Sequence, residues 1–167
     1  MLHRDIKLDN ILLTSQGHVK ICDFGVSKLI TKKTELMFEQ CGTPAYIAPE
    51  VFENRGYTGY QSDVWSAGVV LYTMLFGTVP FKASSMVELH KQVVKSKPDY
   101  KDGAEQVSQK ALALLKGILD KDPTKRLTID QILNHEWMVQ KTKGKFLGYN
   151  FSQCIFRPRE GCNYFRI

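Results

Sequence analysis

The chain has 167 residues, of which 43% are hydrophobic and 24% are charged, and 23 Lys and Arg residues against 17 Asp and Glu residues give a net charge of +6. This length suits one domain, and the composition is typical of an ordinary globular protein. The lack of a basic run interleaved with aromatics disfavours nucleic-acid binding, and the interrupted longest apolar stretch disfavours a transmembrane helix.

Short strands and a turn are predicted near the amino terminus. Residues 10–13 form a brief apolar run, residues 14–17 carry turn signals, and apolar and basic side chains alternate over residues 19–21. This pattern predicts a small β-hairpin. Residues 25–50 show no sustained period, so we expect a long functional loop there.

A long helix is predicted next, over residues 62–76. Ser62 and Asp63 can cap its start, and Gly77 marks its end. The apolar residues of this segment point all round the helix rather than along one stripe. We therefore expect a fully buried helix.

Three further helices follow from capping and periodicity signals. A capping-box pattern at residues 85–88 opens one helix, and an apolar stripe predicts another over about residues 108–120. A second capping box at residues 128–131 starts a short helix. Beyond it the pattern fades, and residues 139–167 are predicted to form a basic carboxyl-terminal tail whose order the sequence leaves open.

The cysteines and the amino terminus bear on the cellular compartment. Cys22, Cys41, Cys154 and Cys162 have no C-x-x-C spacing, so neither a zinc site nor a disulfide framework is indicated. The first residues lack the apolar core of a secretory signal. We expect a reducing compartment, the cytoplasm with the nucleus left open, and neither a membrane nor a nucleic-acid partner. The sequence leaves the oligomeric state open.

Three motifs in a fixed order carry the chemistry. Residues 3–10 read H-R-D-I-K-L-D-N, residues 23–25 read D-F-G, and residues 48–50 read A-P-E. One tripeptide is nearly uninformative, but three motifs in this order and spacing are not expected by chance. Through them the chain resembles the catalytic domain of eukaryotic-type serine/threonine protein kinases, up to about residue 138. The wording C-G-T-P and F-G-x-x-P-F most resembles the calcium/calmodulin-dependent kinase group.

The resemblance implies a mainly α fold, the large carboxyl-terminal lobe of a kinase over residues 1–138, with a short β-hairpin at the catalytic loop. The sequence contains no G-x-G-x-x-G loop, so the small lobe that holds ATP is expected to be absent. We therefore expect a part of a longer kinase that is inactive by itself. In the alternative, the short chain is a genuine short protein, without catalytic activity, that acts as a binding or competitor module.

Four residues are the catalytic candidates, because phosphoryl transfer depends on positioning and charge neutralisation. Asp5 can accept a hydrogen bond from the substrate hydroxyl, and Lys7 can neutralise charge on the moving phosphoryl group. Asn10 and Asp23 offer oxygen ligands for Mg²⁺. The cofactors implied are ATP and Mg²⁺.

The substrate class follows from the resemblance. Lys7 and the segment G-T-P-A-Y-I-A-P-E at residues 42–50 are similar to those of kinases that phosphorylate Ser or Thr in proteins. The same resemblance implies that Thr43 contacts Asp5 and Lys7 and shapes the substrate site. Asp9 stands where many relatives carry an acid that binds basic substrates, so a basic sequence context is implied. Small-molecule kinases of the aminoglycoside type lack the 42–50 segment.

Regulatory residues are also implied by the resemblance. Arg4 and Lys28 are expected to bind an anion on the segment after D-F-G. Relatives usually carry a phosphothreonine at the position of Glu39, whose carboxylate either stands in for the phosphate or is a solvated loop glutamate. Thr31 and Thr34 are the candidate phosphoacceptors.

Scaffold contacts complete the expectations. Glu50 is expected to form a buried salt bridge with Arg126, and Asp63 is expected to hold the backbone of the catalytic loop. Phe24 is expected to pack into the regulatory core of the kinase or, equally compatible with the sequence, to be an ordinary core residue. These roles are implied by the resemblance, and we keep them apart from catalysis.

Overall fold

The computed structural model describes residues 1–53, 55–100, 105, 107–139 and 164–166. The strands are β1 (Ile11–Thr14), β2 (Val19–Ile21), β3 (Leu36–Met37), β4 (Tyr57–Thr58) and β5 (Tyr164–Arg166). The α-helices are α1 (Pro49–Phe52), α2 (Gly59–Phe76), α3 (Met86–Lys95), α4 (Gln109–Ile118), α5 (Ile129–Leu133) and α6 (Glu136–Val139). Two 3₁₀ helices cover Leu8–Asn10 and Pro44–Tyr46.

The architecture is mainly α, as the sequence predicts, and it also contains two small sheets. Within the described ranges, none of the helices combines the length and the apolar character that crossing a membrane requires. The assignment of this fold to the large lobe of a kinase stays a prediction. So does the division at residue 138, because the tail predicted over residues 139–167 lies outside the described residues except for its first residue and β5.

The predicted hairpin forms at the expected place. Strands β1 and β2 pair antiparallel, with Ile11 opposite Ile21. Strand β5 pairs antiparallel with the other edge of β1, so the strand order of this sheet is β2-β1-β5. The open end of the hairpin, away from the turn, therefore brings the residue before Ile11 close to the residue after Ile21.

The prediction of one long loop over residues 25–50 is wrong in part. This stretch contains β3, which pairs with β4, as well as the second 3₁₀ helix and the start of α1. A two-residue strand has no period that a sequence can reveal, because its pairing partner lies about twenty residues further along. Helix α1 begins with Pro49, whose fixed φ and missing N–H suit a first helical turn.

Helix α2 starts earlier than predicted. It begins at Gly59 with Thr58 at the N-cap position, so Ser62 and Asp63 lie inside the helix and do not cap it. The carboxylate of Asp63 is used elsewhere, since it accepts hydrogen bonds from two backbone N–H groups near the amino terminus. The helix ends as expected, at Gly77 in the left-handed conformation with φ of 71°.

The burial predicted for α2 is nearly complete but not total. Trp65 and Val69 are fully buried in the largest core cluster, whereas Met74 is 36% exposed. On one side the helix packs against α4, and Gly68 lies at this contact. A side chain at this position would meet Ile118 and Leu119.

The remaining helices begin at the predicted caps. The hydroxyl oxygens of Ser85 and Ser108 accept hydrogen bonds from the third backbone N–H of α3 and α4, respectively. Thr128 and Gln131 form both bonds of a capping box at the start of α5. Helix α4 is shorter than the predicted range of residues 108–120, because it ends at Ile118.

Replacing Gly68 with alanine is expected to lower the free energy of unfolding by about 1–3 kcal/mol. The new Cβ would lie 2.5 Å from Cγ2 of Ile118 and 2.9 Å from Cδ2 of Leu119, so these packed side chains or the two helices must shift. Urea unfolding followed by tryptophan fluorescence measures the change. Helix propensity alone favours alanine over glycine by about 0.5–1 kcal/mol, so a more stable variant would contradict the packing argument.

Candidate active site

The loop that carries the first motif is bound to the second turn of α2. Asp63 accepts hydrogen bonds from the backbone N–H groups of His3 and Arg4, each at 2.8 Å. Burial raises the pKa of Asp63, against the opposing effect of these two hydrogen bonds. The backbone of Leu2, just before this loop, is also bound to that of Lys28, since each residue donates its N–H to the carbonyl of the other. The predicted contact between Asp63 and the catalytic-loop backbone is therefore confirmed.

A closed set of contacts surrounds the carboxylate of Asp5. Its Oδ1 accepts hydrogen bonds from the N–H of Thr43 at 2.9 Å and from the hydroxyl of Thr43 at 2.8 Å. Its Oδ2 lies 2.9 Å from Nζ of Lys7, which also donates to Oγ1 of Thr43 at 2.8 Å. The structure thus brings Asp5, Lys7 and Thr43 together, in the contacts that the resemblance implies.

The electrostatics of this set favour the ionised carboxylate. Burial raises the pKa of Asp5, but the hydrogen bonds from Lys7 and Thr43 outweigh it, so the net shift is downward. The hydrogen bond to Asp5 raises the pKa of Lys7. Asp5 is therefore an anion, and Lys7 a cation, at neutral pH.

Asn10 and Asp23 lie at the same end of the hairpin. The backbone N–H of Cys22 donates to the carbonyl of Asn10 at 2.9 Å, which joins the residues before β1 and after β2. Nδ2 of Asn10 donates to the backbone carbonyl of Asp5 at 2.9 Å, which leaves Oδ1 as the acceptor atom of this buried amide. A carboxylate and an amide oxygen are ligands that suit a hard cation such as Mg²⁺.

Within the part of the chain that the structure describes, no group of three or more His, Cys, Asp or Glu side chains could hold a metal. Mg²⁺ commonly keeps several waters and takes only one or two carboxylates from the protein. The amide oxygen of Asn10 and the carboxylate of Asp23 are therefore ligands of the type and number that Mg²⁺ takes from a protein.

Backbone strain is concentrated in this region. Among the described residues, Arg4 with φ of 66° and Asp23 with φ of 64° are the non-glycine residues with positive φ. Strain of this kind costs about 1–3 kcal/mol per residue and gathers at functional sites.

The prediction that Phe24 lies in the core is wrong, because this residue is 45% exposed. The centre of its ring lies 4.8 Å from that of the His3 ring.

The predicted anion-binding residues meet at Glu39. Nη1 of Arg4 lies 2.7 Å from Oε2 of Glu39, and Nζ of Lys28 lies 3.6 Å from the same oxygen. The hydrogen bond from Arg4 and the charge of Lys28 lower the pKa of Glu39. Glu39 is therefore not a solvated loop glutamate without contacts.

The other predicted residues lie at the edge of this arrangement. Asp9 is exposed in the first 3₁₀ helix, at the end of the catalytic loop. Thr31 and Thr34 are exposed in the segment between β2 and β3, where the hydroxyl and the N–H of Thr31 contact Oε2 of Glu35. The contacts described for these three residues do not reach Asp5.

Sequence reasoning missed two residues that shape the site. Gly42 has φ of 104°, and a Cβ there would lie 2.6 Å from the backbone oxygen of Arg4. The phenol of Tyr57 donates to the backbone carbonyl of Glu39 at 2.7 Å, and burial raises its pKa to about 12. The glycine beside Thr43 was a visible signal for close backbone approach. No local signal marked Tyr57.

Replacing Gly42 with alanine is expected to disrupt the contact between Thr43 and Asp5. The added methyl collides with a backbone oxygen, which cannot move aside as a side chain can, and alanine is strained at this φ. We expect a loss of about 1–3 kcal/mol in the free energy of unfolding. Gly17 is the matched control, since it also has positive φ but no atom within 4 Å of its Cβ position. Equal losses for the two alanine variants would contradict the collision.

Comparisons with known proteins agree with this geometry. The family model described as the protein kinase domain matches residues 1–138. CBL-interacting protein kinase 31 of Oryza sativa subsp. japonica is 43% identical, over 84% of this chain and 31% of the relative. CBL-interacting serine/threonine-protein kinase 15 of Arabidopsis thaliana is 41% identical, over 81% of this chain and 32% of the relative.

A further relative, CBL-interacting protein kinase 5 of Oryza sativa subsp. japonica, is 36% identical over 96% of this chain. The chain spans about a third of the length of the curated relatives that it matches. The resemblance read from the three motifs is thereby confirmed. On the match of residues 1–138 to the kinase domain and on these serine/threonine kinase relatives, the chain belongs to the protein kinase family.

Proposed function

We propose that this chain is the part of a protein kinase that binds and orients the acceptor Ser or Thr of a protein substrate during ATP-dependent phosphorylation. Residues 1–138 are proposed to be the large lobe, with the catalytic loop and the substrate platform. The observation that carries the proposal is the closed contact set of Asp5, Lys7 and Thr43, in which each pair lies within 2.9 Å. This set joins an anion, a cation and a hydroxyl on a loop that is fastened to α2.

Asp5 is proposed to orient the acceptor. Its carboxylate is ionised at neutral pH, so it accepts a hydrogen bond from the substrate hydroxyl and directs the oxygen at the γ-phosphorus. The bond from this oxygen to phosphorus forms as the bond to the leaving ADP oxygen breaks, and the hydroxyl proton moves toward Asp5. The ammonium of Lys7 donates to the oxygens of the phosphoryl group and offsets their charge.

Asn10 and Asp23 are proposed to hold the metal through Oδ1 and the carboxylate, respectively. Mg²⁺, when bound with ATP, neutralises charge on the phosphates. The exposed carboxylate of Asp9 is proposed to favour substrates with basic residues near the acceptor. The proposed partners are therefore protein substrates, in the cytoplasm or nucleus, and no nucleic acid or membrane belongs to the proposal.

A second candidate function is a binding module that competes for partners of kinases. The observation in its favour is the apolar surface beside the site, where Val19 is 59% exposed and Ile21 is 49% exposed on β2. The sequence also contains no G-x-G-x-x-G loop to cradle phosphates, so we expect little phosphate transfer by the 167 residues alone.

A chimera tests the proposal. In it, residues 1–138 of this chain replace the aligned segment of CBL-interacting protein kinase 31, which supplies the rest of a kinase. We expect the chimera to transfer labelled phosphate from Mg-ATP to Ser and Thr peptides, and the 167 residues alone to transfer little. A folded chimera without activity beside an active parent kinase would contradict the proposed enzyme function and favour the binding module.

A further inference from the structure

We propose that the outer edge of β1 is a docking site for an extended peptide strand, and that β5 is its reversible occupant from the same chain. The outer edge is the one that faces away from β2 in the sheet order β2-β1-β5. The ligand is an extended peptide recognised through its backbone, as in proteins that bind a peptide by adding a strand to a sheet. The inference goes beyond the proposed function and does not depend on it, because its test measures no phosphate transfer.

The backbone groups of β1 alternate between its two edges. The carbonyl of Asn10 accepts a hydrogen bond from the N–H of Cys22 at 2.9 Å, on the side of β2. The N–H of Thr14 donates to the carbonyl of His18 at 2.9 Å, also on that side. Successive residues of an antiparallel strand point these groups in opposite directions. Leu13, one residue before Thr14, therefore points its N–H and its carbonyl to the outer edge.

Strand β5 engages this edge through one hydrogen-bonded residue pair. In the register, Leu13 stands opposite Phe165, and Leu12 stands opposite Arg166. Because Leu13 points outward, Leu13 and Phe165 exchange the backbone hydrogen bonds, and the N–H of Arg166 points away from β1. Two such bonds favour the docked strand over the free strand by about 10- to 100-fold. Strand β5 is therefore held weakly enough to leave the edge.

The same edge selects the kind of peptide that it binds. A strand edge that offers unpaired N–H and carbonyl groups is a template for pairing with a further strand. On the inner side of β1, Val19 stands directly opposite Leu13 and is 59% exposed, so the two residues form an apolar strip on one face of the sheet. An apolar residue is therefore favoured at the peptide position opposite Leu13, and in β5 this position is Phe165.

The docking edge borders the candidate active site. Strand β5 lies close to the 3₁₀ helix Leu8–Asn10, which carries the proposed metal ligand Asn10 and leads directly into β1. A peptide that adds to β1 in place of β5 follows the same edge and lies beside the end of the catalytic loop.

The test measures hydrogen exchange of the Leu13 amide in the 167-residue chain by NMR. Phe165→Pro removes an N–H of the hydrogen-bonded pair and is expected to speed this exchange by about 10- to 100-fold. Arg166→Pro is the matched control, because it places a proline one position further along, where the N–H points away from β1. The Leu12 amide faces β2 and is expected to keep its exchange rate in both variants.

An unchanged Leu13 amide in Phe165→Pro overturns the proposal, and so do equal changes in the two proline variants. Protection of Leu13 that falls on dilution, together with a dimer in sedimentation, also overturns it, because the strand then comes from a second copy. The wild type offers a check that needs no variant to fold. A nuclear Overhauser contact between the Hα atoms of Leu12 and Arg166 is expected, since a pair without mutual hydrogen bonds brings the Cα atoms to about 4.5 Å, and its absence overturns the register.

A separate peptide tests whether the edge binds a strand that is not tethered to it. An effective concentration of about 1 mM for the tethered strand, divided by a docking equilibrium of about 10–100, predicts a Kd of about 10–100 μM for the free peptide. A synthetic peptide with the sequence of residues 163–167, at about 1 mM, is therefore expected to slow exchange of the Leu13 amide in Phe165→Pro by about ten-fold. In the wild type the edge is already covered, so the exchange rate should stay unchanged.

The control peptide carries proline at the position of Phe165 and should leave the Leu13 amide of the variant unprotected. Protection by the first peptide alone supports a docking site that reads the backbone. Equal protection by both peptides, or by neither, overturns it.

Discussion

Replacing Asp5 with asparagine in the chimera is expected to lower kcat by about 10²–10⁴-fold. Asparagine keeps the shape of the side chain but loses the charge that accepts the hydroxyl proton and pairs with Lys7 at 2.9 Å. The hydrogen bonds from Thr43 lose strength for the same reason, because they are made to an anion in the native chain. Steady-state transfer of labelled phosphate to a Ser peptide measures the loss.

The control for this variant is Asp9→Asn, which removes a carboxylate from the same loop. Asp9 is exposed and is proposed to bind basic substrates, so its loss should raise the KM for a basic peptide with little change in kcat. Similar losses of kcat in the two variants would show that the charge of the loop, rather than the position of Asp5, governs the rate.

The pH dependence offers a second check on Asp5. Its pKa in the folded chain is lowered from the ordinary value of 3.8, so the group stays ionised while an unfolded aspartate takes up a proton. Its contribution to stability is thus fully present above the unfolded pKa and is lost as the pH falls through the lowered pKa of the folded state. Protonation of Asp5 should therefore not alter the rate of phosphate transfer over the neutral and weakly acidic pH range.

The contacts of the site could be predicted where both partners belong to motifs. Thr43, Lys7 and Asp5 fall in two segments that resemble those of the kinase family, and the same resemblance implied the pair formed by Glu50 and Arg126. The sequence therefore indicated most of the candidate site, but it left open whether Glu39 is a solvated loop glutamate or takes the place of a phosphate beside Arg4, which the structure shows it contacts. In these cases the residue types that occur together in the matching segments predict a contact between positions far apart in the chain.

Other features depend on partners that local sequence does not reveal. Asp63 looks like the start of a helix, yet its carboxylate binds backbone N–H groups about sixty residues away, so α2 begins four residues before Asp63. Strand β3 has only two residues and exists because β4 pairs with it. Phe24 is apolar but exposed, since burial depends on what packs against a residue and not on its own hydropathy.

Replacing Arg126 with methionine is expected to lower the free energy of unfolding by about 3–5 kcal/mol, because it leaves a buried carboxylate without its counter-charge. Arg126 is 1% exposed, and its two terminal nitrogens bind both oxygens of Glu50, at 2.6 and 2.9 Å. It also donates to the backbone oxygens of Gln61 and Asp120, and its guanidinium lies 5.0 Å from the centre of the Trp65 ring. The predicted buried salt bridge is confirmed.

Urea unfolding followed by tryptophan fluorescence measures this loss, with Lys125→Met as the matched control. Lys125 is adjacent in sequence, but its side chain is 73% exposed and its pair with Asp122 spans 3.5 Å, so its removal should have little effect. Adding Glu50→Met to Arg126→Met removes the orphaned charge and should recover part of the stability. If the double variant is no more stable than Arg126→Met, then the loss comes from the packing over Trp65 and the backbone hydrogen bonds. The guanidinium would in that case act as a buried donor that joins α2 to the loop after α4, and its charge would contribute little.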